Sequence, residues 1–95
     1  MMNPNHGRVP ILIELYGVPR LRAARRELTV QAASVAEALV ALEAECPALS
    51  GSVIAGGRLL SAYRISLNGR SFITDPATRL VPGDSLVLIA ADAGG

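Results

Sequence analysis

The clearest helix signal in the chain lies between residues 34 and 46, and strand-like segments stand on both sides of it. Ser34 and Glu37 have the spacing of a capping box. In that motif the serine hydroxyl accepts from the N–H of Glu37, and the glutamate carboxylate accepts from the N–H of Ser34. Pro47 disfavours helical backbone at the preceding residue and predicts the end of a helix of about twelve residues. One apolar face is predicted for it, made of Val35, Leu39, Leu42 and Cys46.

Five segments outside this helix have the signals of strands. Residues 9–16 alternate between two faces, as do residues 26–31, and the connection over 17–25 makes them a predicted hairpin. Asn68-Gly69 predicts a tight turn because both residues tolerate a positive φ, and residues 81–84 suit a type II turn. The other predicted strands are residues 63–67, 70–74 and 86–91.

A single helix with one apolar face buries that face most simply against one side of a sheet. The order strand, strand, helix, strand, short strand, strand is that of the ubiquitin-like β-grasp fold. We therefore predict an α+β fold with a mixed sheet of four to five strands and one main helix on one face. Its first and last strands are expected side by side and parallel at the centre. The predicted organisation is a flexible N-terminal lead (1–8), a β-grasp domain (9–91) and a flexible Gly-Gly tail (92–95).

Composition excludes several classes of function. The chain has 95 residues and a net charge near +1, so neither nucleic acid nor an anionic membrane is an expected partner. No apolar run approaches the length of a membrane-spanning helix. Cys46 is the only cysteine and is expected to be buried, and His6 has no second ligand beside it, so no metal site is predicted. These features favour a cytoplasmic domain.

The sharpest functional feature is Gly94-Gly95, which follows the last predicted strand by a few residues. Glycine has no Cβ, so an extended Gly-Gly tail can enter a channel too narrow for other residues. An unhindered carboxylate at Gly95 can attack the α-phosphate of ATP inside a partner enzyme and become an acyl-adenylate. The alternative is a frayed terminus with no role.

Several short motifs accompany this tail in a particular order. They are IELYGVPRLR at residues 13–22, SVAEAL at 34–39, SLNG at 66–69 and PGDSLVL at 82–88, before Gly94-Gly95. Together they resemble the MoaD/ThiS family of sulfur carriers, from about residue 9 to residue 95. The long connection over residues 17–25 is more similar to MoaD than to ThiS. The tail lacks the prolines that often precede Gly-Gly in MoaD-like proteins, and residues 90–93 read AADA instead.

The resemblance implies a protein cosubstrate and not an enzyme. A ubiquitin-activating-like adenylyltransferase of the MoeB/ThiF type would use ATP to adenylate Gly95, with Gly94 as the spacer that enters the channel. A sulfur donor would convert Gly95 to a thiocarboxylate, and an acceptor synthase subunit would receive the sulfur. Molybdopterin biosynthesis is the expected pathway, with thiazole or cysteine routes as alternatives. The chain itself is expected to bind no cofactor.

Two other functions are compatible with the same residues. A ubiquitin-like modifier would join Gly95 to a lysine of another protein after the same adenylation step. Because the chain contains no Lys, it cannot build Lys-linked chains on itself. A β-grasp interaction module would never react at Gly95 at all.

Two surfaces are candidates for partner binding. Both faces of the last strand are apolar although one helix covers only one, so Val87 and Ile89 are expected to face outward. Leu12 and Phe72 would join them in a docking patch. The alternative is that residues 48–60 cover this face. A basic cluster, Arg20, Arg22, Arg25 and Arg26, is either solvated or pairs with an acidic surface. It lacks the aromatic residues expected of a nucleic-acid site.

Overall fold

A computed structural model describes residues 7–92, and a five-stranded mixed sheet lies at its centre. The sheet has the order β2-β1-β7-β5-β6, and β3 and β4 form a separate two-stranded ribbon. The strands are β1 Val9–Leu15, β2 Glu27–Ala32, β3 Ile54–Ala55, β4 Arg58–Leu59, β5 Tyr63–Leu67, β6 Ser71–Ile73 and β7 Ser85–Ala90. The helices are α1 Val18–Ala23 and α2 Val35–Glu45, and a 3-10 turn spans Pro47–Leu49.

The first and last strands form the central pair of this sheet. Strand β1 runs parallel to β7, with Leu12 opposite Ser85 and Leu15 opposite Leu88. The other neighbours, β1 with β2, β5 with β7 and β5 with β6, are antiparallel. The predicted α+β architecture, a ubiquitin-like β-grasp with one main helix on one face, is confirmed.

Helix α2 covers one face of the sheet with the side chains that its sequence spacing predicted. Val35, Leu39, Leu42 and Cys46 are all buried. On the sheet, alternate residues of each strand point toward the helix, as the period of two requires. The core side chains from the three strands β1, β2 and β7 are Ile11, Ile13, Leu15, Leu28, Val30, Ala32, Leu86 and Leu88.

The start of α2 is capped largely as predicted, with one difference. The Ser34 Oγ accepts a hydrogen bond from the N–H of Glu37 at 3.2 Å. The Glu37 carboxylate, however, accepts from the N–H of Ala33 at 2.8 Å and not from that of Ser34. Residues 76–80 pair with the backbone on both sides of Ser34.

Two elements lie where the sequence predicted only irregular connections. Helix α1 occupies part of the β1–β2 connection; Gly17 precedes it at φ 63° and Pro19 lies in its first turn. The ribbon β3–β4 turns through Gly56 and Gly57, both at positive φ, which favours glycine. The segment around the ribbon also contributes to the core through Leu49, Val53 and Ile54, which are 0% exposed.

A polar link holds the start of β7 against the predicted turn between β5 and β6. Asn68 and Gly69 both have positive φ, as expected. One carboxylate oxygen of Asp84 accepts from the Asn68 side chain at 2.9 Å, and the other accepts from the N–H of Val81 at 2.9 Å. The Asn68 side chain in turn accepts from the N–H of Ser85 at 2.8 Å. The two hydrogen bonds that Asp84 accepts lower the pKa of its carboxyl below the usual value of 3.8, and the bond from Asn68 has the larger effect.

We predict that Asp84→Asn destabilises the protein near neutral pH and that the difference from wild type disappears in acid. The depressed pKa means that the ionised carboxylate stabilises the folded state above about pH 4. That contribution is lost as the pH falls through the folded-state pKa. An amide offers one acceptor oxygen where the carboxylate offers two, so the variant loses one of these bonds near neutral pH, and the wild-type carboxyl loses the same bond when it is protonated in acid.

Urea unfolding of both proteins between neutral pH and pH 3 checks this prediction. Asp92→Asn removes the same charge from an exposed residue and is the control. A stability difference for Asp84→Asn that stays constant across this range would contradict the assigned role of the charge.

Candidate functional site

The end of β7 emerges at the edge of the sheet where β1 also ends, because the two strands are parallel. The N–H of Tyr16 donates to the carbonyl of Leu88 at 3.2 Å, which extends the pairing beyond β1. On the other side, the N–H of Ala91 donates to the carbonyl of Ala62 at 2.7 Å. The backbone is therefore held on the β1 side as far as Leu88 and on the β5 side as far as Ala91, one residue past the end of β7. We call this region the tail exit.

Gly94 and Gly95, the predicted reactive residue and its spacer, lie outside the described residues. In the sequence they follow Asp92, the last described residue, after only one intervening alanine. Their predicted chemistry therefore stays a prediction. His6 also lies outside the described range.

The four side chains predicted as a docking patch share the sheet face opposite α2. Val87 lies between Glu14 of β1 and Ser66 of β5, and Ser66 lies opposite Phe72. Phe72 is 51% exposed, whereas the other three side chains, Leu12, Val87 and Ile89, are half-buried. The structure thus places all four on one outer face, although they present less apolar surface than their sequence pattern suggested.

Charged neighbours limit the extent of this outer face. The guanidinium carbon of Arg64 lies 5.5 Å from the centre of the Phe72 ring, within the range of a cation–π contact. Arg64 also lies opposite Ile89 on the neighbouring strand. The patch therefore combines apolar side chains with one stacked arginine.

The alternative in which residues 48–60 cover this outer face is wrong. Strands β3 and β4 contact α2, which lies on the other side of the sheet. The carboxylate of Glu43 on α2 accepts from the N–H of Gly57 at 2.8 Å and from the hydroxyl of Ser50 at 2.7 Å. These hydrogen bonds lower the pKa of the Glu43 carboxyl, and the bond from Ser50 has the largest effect. The segment is thus fastened to the helix side, where the apolar residues at its centre are needed to complete the core.

Helix α1 and the basic cluster lie beside the tail exit. Helix α1 starts three residues after the end of β1 and contacts β7. Its side chains Val18 and Leu21 are 43% and 79% exposed, so this short helix presents apolar surface to solvent. Sequence reasoning missed this surface; the signal was the Gly17-Val18-Pro19 run, which suits a helix start. All four arginines of the cluster, Arg20, Arg22, Arg25 and Arg26, are exposed.

Tyr16 links the outer face to the basic cluster. Its hydroxyl donates to the Glu14 carboxylate at 3.1 Å. This hydrogen bond, together with the negative charge of Glu14, raises the pKa of the Tyr16 hydroxyl, and the charges of Arg26 and Arg20 act in the opposite direction. The cluster is thus near enough to the tail exit to influence a side chain there.

Within residues 7–92, no three His, Cys, Asp or Glu side chains gather as they would around a metal ion. Cys46 is buried against the core, as predicted. None of the helices in the described part of the chain has both the length and the apolar character to cross a membrane.

Solved structures with the same fold include proteins from archaea and bacteria. The crystal structure of SAMP1 from Haloferax volcanii is 27% identical, with a TM-score of 0.77, and the match covers 90% of this chain and 99% of that one. A chain of the Amycolatopsis orientalis BexX/CysO complex is 16% identical, with a TM-score of 0.72 and coverage of 90% and 99%. A putative molybdopterin converting factor, subunit 1, from Pyrococcus furiosus is 16% identical, with a TM-score of 0.70 and coverage of 86% and 97%.

No family model and no curated protein sequence matches the chain. The two structures at 16% identity show the fold alone. The 27% match and the shared fold confirm the predicted resemblance to ubiquitin-like proteins of the MoaD/ThiS type. The chain is thus similar to small ubiquitin-like modifiers and carriers.

We predict that Leu88 and Ile89, adjacent on β7, respond in opposite ways to the same polar substitution. Leu88 is 0% exposed beneath α2, so Leu88→Gln leaves a buried amide in a packed core and is expected to cost about 3 kcal/mol or more. Ile89 is half-buried on the outer face, and Ile89→Gln is expected to cost about 1 kcal/mol. Chemical unfolding of the two variants measures both values. Equal losses would show that the outer face is packed like the core.

Proposed function

We propose that the chain is a ubiquitin-like sulfur carrier whose Gly95 carboxylate is adenylated and then converted to a thiocarboxylate. The observation that carries this proposal is the position of Gly94-Gly95 in the sequence, only a few residues after a strand fixed at the centre of a β-grasp sheet. A rigid exit followed by small residues suits a tail that must enter another protein. The chain would act as a cosubstrate and not as a catalyst.

The first step would take place inside a partner adenylyltransferase of the MoeB/ThiF type, which binds the ATP. An oxygen of the Gly95 carboxylate attacks the α-phosphorus of ATP. The bond between that phosphorus and the oxygen leading to the β-phosphate breaks, and pyrophosphate leaves. Gly95 then carries a mixed anhydride with AMP, and its carbonyl carbon is activated toward nucleophiles.

The second step would transfer sulfur. With hydrosulfide as donor, the sulfur attacks the Gly95 carbonyl carbon, the bond from that carbon to the AMP oxygen breaks, and AMP leaves. One proton is released and the product is a thiocarboxylate. No electrons are transferred to or from the chain, so hydrosulfide needs no additional reductant. An acceptor synthase subunit would then take the sulfur.

The proposed pathway is molybdopterin biosynthesis, with thiazole and cysteine routes as alternatives. The long connection that contains α1, between β1 and β2, favours the first. The AADA sequence at residues 90–93, without proline, argues for testing the others in parallel. Only the adenylation step uses ATP, and all the steps are proposed for the cytoplasm.

We further propose that the outer face, Leu12, Phe72, Val87 and Ile89, docks on the adenylyltransferase. These side chains lie on the two strands that end at the tail exit and on the neighbouring strand pair. A partner seated there would receive the tail without any rearrangement of the sheet. Exposed Phe72 would provide most of the apolar contact, because aromatic side chains contribute strongly to interfaces.

A second candidate function is protein modification. The SAMP1 structure that is 27% identical is that of a small archaeal modifier protein, as the name of a second, 26% identical structure spells out. In this case the Gly95 adenylate would react with a lysine amine of a target protein and form an amide bond. The absence of Lys from the chain would restrict it to single additions or to chains built through other groups.

The decisive experiment incubates the chain with ATP, magnesium, a MoeB/ThiF-type adenylyltransferase and sulfide, and measures its intact mass. The carrier function predicts a gain equal to the difference between one sulfur and one oxygen atom. A chain lacking Gly94 and Gly95 is the control. It is expected to keep its melting temperature, because a terminal segment makes few contacts, and to show no mass change.

The alternatives give different results in the same assay. Amide-linked adducts with lysines of other proteins, formed without sulfide, would favour the modifier function. Unchanged mass with an enzyme that activates its own carrier would contradict both reactive functions and favour an interaction module.

Ile89→Gln tests the docking face separately from the tail. If the outer face binds the adenylyltransferase, this folded variant is expected to raise the KM for pyrophosphate release about tenfold while kcat stays near wild type. Val40→Gln makes the same kind of substitution at an exposed residue of α2, on the opposite side of the sheet, and is the control. A KM unchanged by Ile89→Gln would move the docking surface elsewhere.

A further inference from the structure

The basic cluster after β1 has no role in the function proposed above, yet it lies beside the tail exit. We infer that α1 and its arginines form a second contact, made with an acidic surface that borders the channel of the adenylyltransferase. This inference rests on the proposed function, since the partner it names is the enzyme that takes up the tail. In this arrangement the cluster recognises the charge of the partner, and the outer face supplies the apolar contact.

Position is the first reason. Strands β1 and β7 end together, and α1 follows β1 closely and contacts both β7 and the 3-10 turn. Arg20 and Arg26 line a small surface cleft together with Glu14, Tyr16 and Glu27. Any enzyme that encloses the chain after Asp92 must therefore approach α1. The charged side chains of this segment would therefore lie close to the surface of the bound enzyme.

The distribution of charge is the second reason. Residues 20–26 contain four of the nine arginines and no acidic residue, while the remainder of the chain has five arginines and eight acidic residues. Among residues 7–92 the one ion pair within 4.0 Å joins Arg8 to Glu37, at the opposite end of the sheet. The cluster arginines thus form no ion pair within the described structure. The cleft beside Arg20 and Arg26 contains two acidic residues, Glu14 and Glu27, and Glu14 already accepts a hydrogen bond from Tyr16.

The apolar side chains of α1 indicate a protein partner. Leu21, at 79% exposed, lies between Arg20 and Arg22 in sequence, and Val18 adds a second apolar side chain. An exposed leucine bordered by arginines fits a protein surface with a shallow apolar centre and an acidic rim. Single-stranded nucleic acid would instead require several aromatic side chains for base stacking. Residues 18–26 contain none, and Tyr16 in the cleft donates its hydroxyl to Glu14, whose negative charge repels phosphate.

Charges at the rim of an interface act mainly on the rate of association. Complementary surfaces raise that rate by about 10- to 1,000-fold, and salt weakens the effect. We therefore expect the cluster to lower the KM for adenylation at low ionic strength and to leave kcat unchanged. At high salt, where screening is effective within a few ångströms, the advantage should largely disappear.

The test compares two charge reversals of equal size in the full chain. Arg20→Glu/Arg22→Glu changes the cluster. Arg70→Glu/Arg79→Glu changes the same net charge at two exposed positions near the other end of the sheet, beside Asn68 and the start of α2. Melting temperatures establish that both variants are folded. If the first does not fold, the neutral pair Arg20→Gln/Arg22→Gln replaces it against Arg70→Gln/Arg79→Gln.

Pyrophosphate release by the adenylyltransferase is measured against chain concentration at low and high salt. The inference predicts about a tenfold rise in KM for the cluster variant at low salt, less than twofold for the control, and convergence at high salt. Equal effects of the two variants would show that only net charge matters and would overturn it. So would no effect of either variant, or a lower kcat at unchanged KM.

Two further outcomes separate this inference from the proposed function. If wild-type chain is not adenylated by any MoeB/ThiF-type enzyme, the proposed function fails and the inference falls with it. If wild type is adenylated and the cluster variant behaves like the control, the inference alone fails. Binding of duplex DNA that requires the cluster, with adenylation unaffected by its loss, would assign the arginines to nucleic acid and also overturn it.

Discussion

The parallel pairing of β1 with β7 is the constraint on which the rest of the structure depends. Parallel neighbours end at the same edge of a sheet, so this pairing brings the end of the last strand next to the segment that follows the first. It also places the start of α2 and the Asn68–Asp84 link together at the opposite edge. One end of the sheet thus carries caps and turns, and the other carries α1 and the tail exit.

The two faces of β7 show how stability and recognition are separated within one strand. Leu86 and Leu88 are 0% exposed and contribute to the core beneath α2. Val87 and Ile89 lie on the other face among polar and charged side chains of neighbouring strands. Because the period of a strand is two, residues that hold the fold alternate with residues available to a partner. Changes on the outer face therefore leave the core packing largely intact.

Much of this arrangement was predictable from the sequence, and the exceptions have physical causes. The capped helix and the Asn68-Gly69 turn follow from local chemistry and were found. Helix α1 was missed because it has six residues and its apolar side chains Val18 and Leu21 face solvent, so no buried periodic face marks it. Strands β3 and β4 have two residues each, which is too short for an alternation of apolar and polar residues to be recognised in the sequence. The hydrogen bond from the Ala33 N–H to Glu37 and the stacking of Arg64 on Phe72 depend on backbone geometry and on the β5–β6 register, which residue spacing alone does not specify.

The central position of β7 also affects how the chain is made. A ribosome releases β1 before β7, so the middle of the sheet stays open until β7 has left the exit tunnel. Closing a contact between residues as distant as 12 and 85 is slow compared with forming a hairpin or a helix. A nascent or prematurely ended chain without β7 therefore lacks both its core and its tail exit. Completion of the sheet and appearance of the tail exit would therefore coincide.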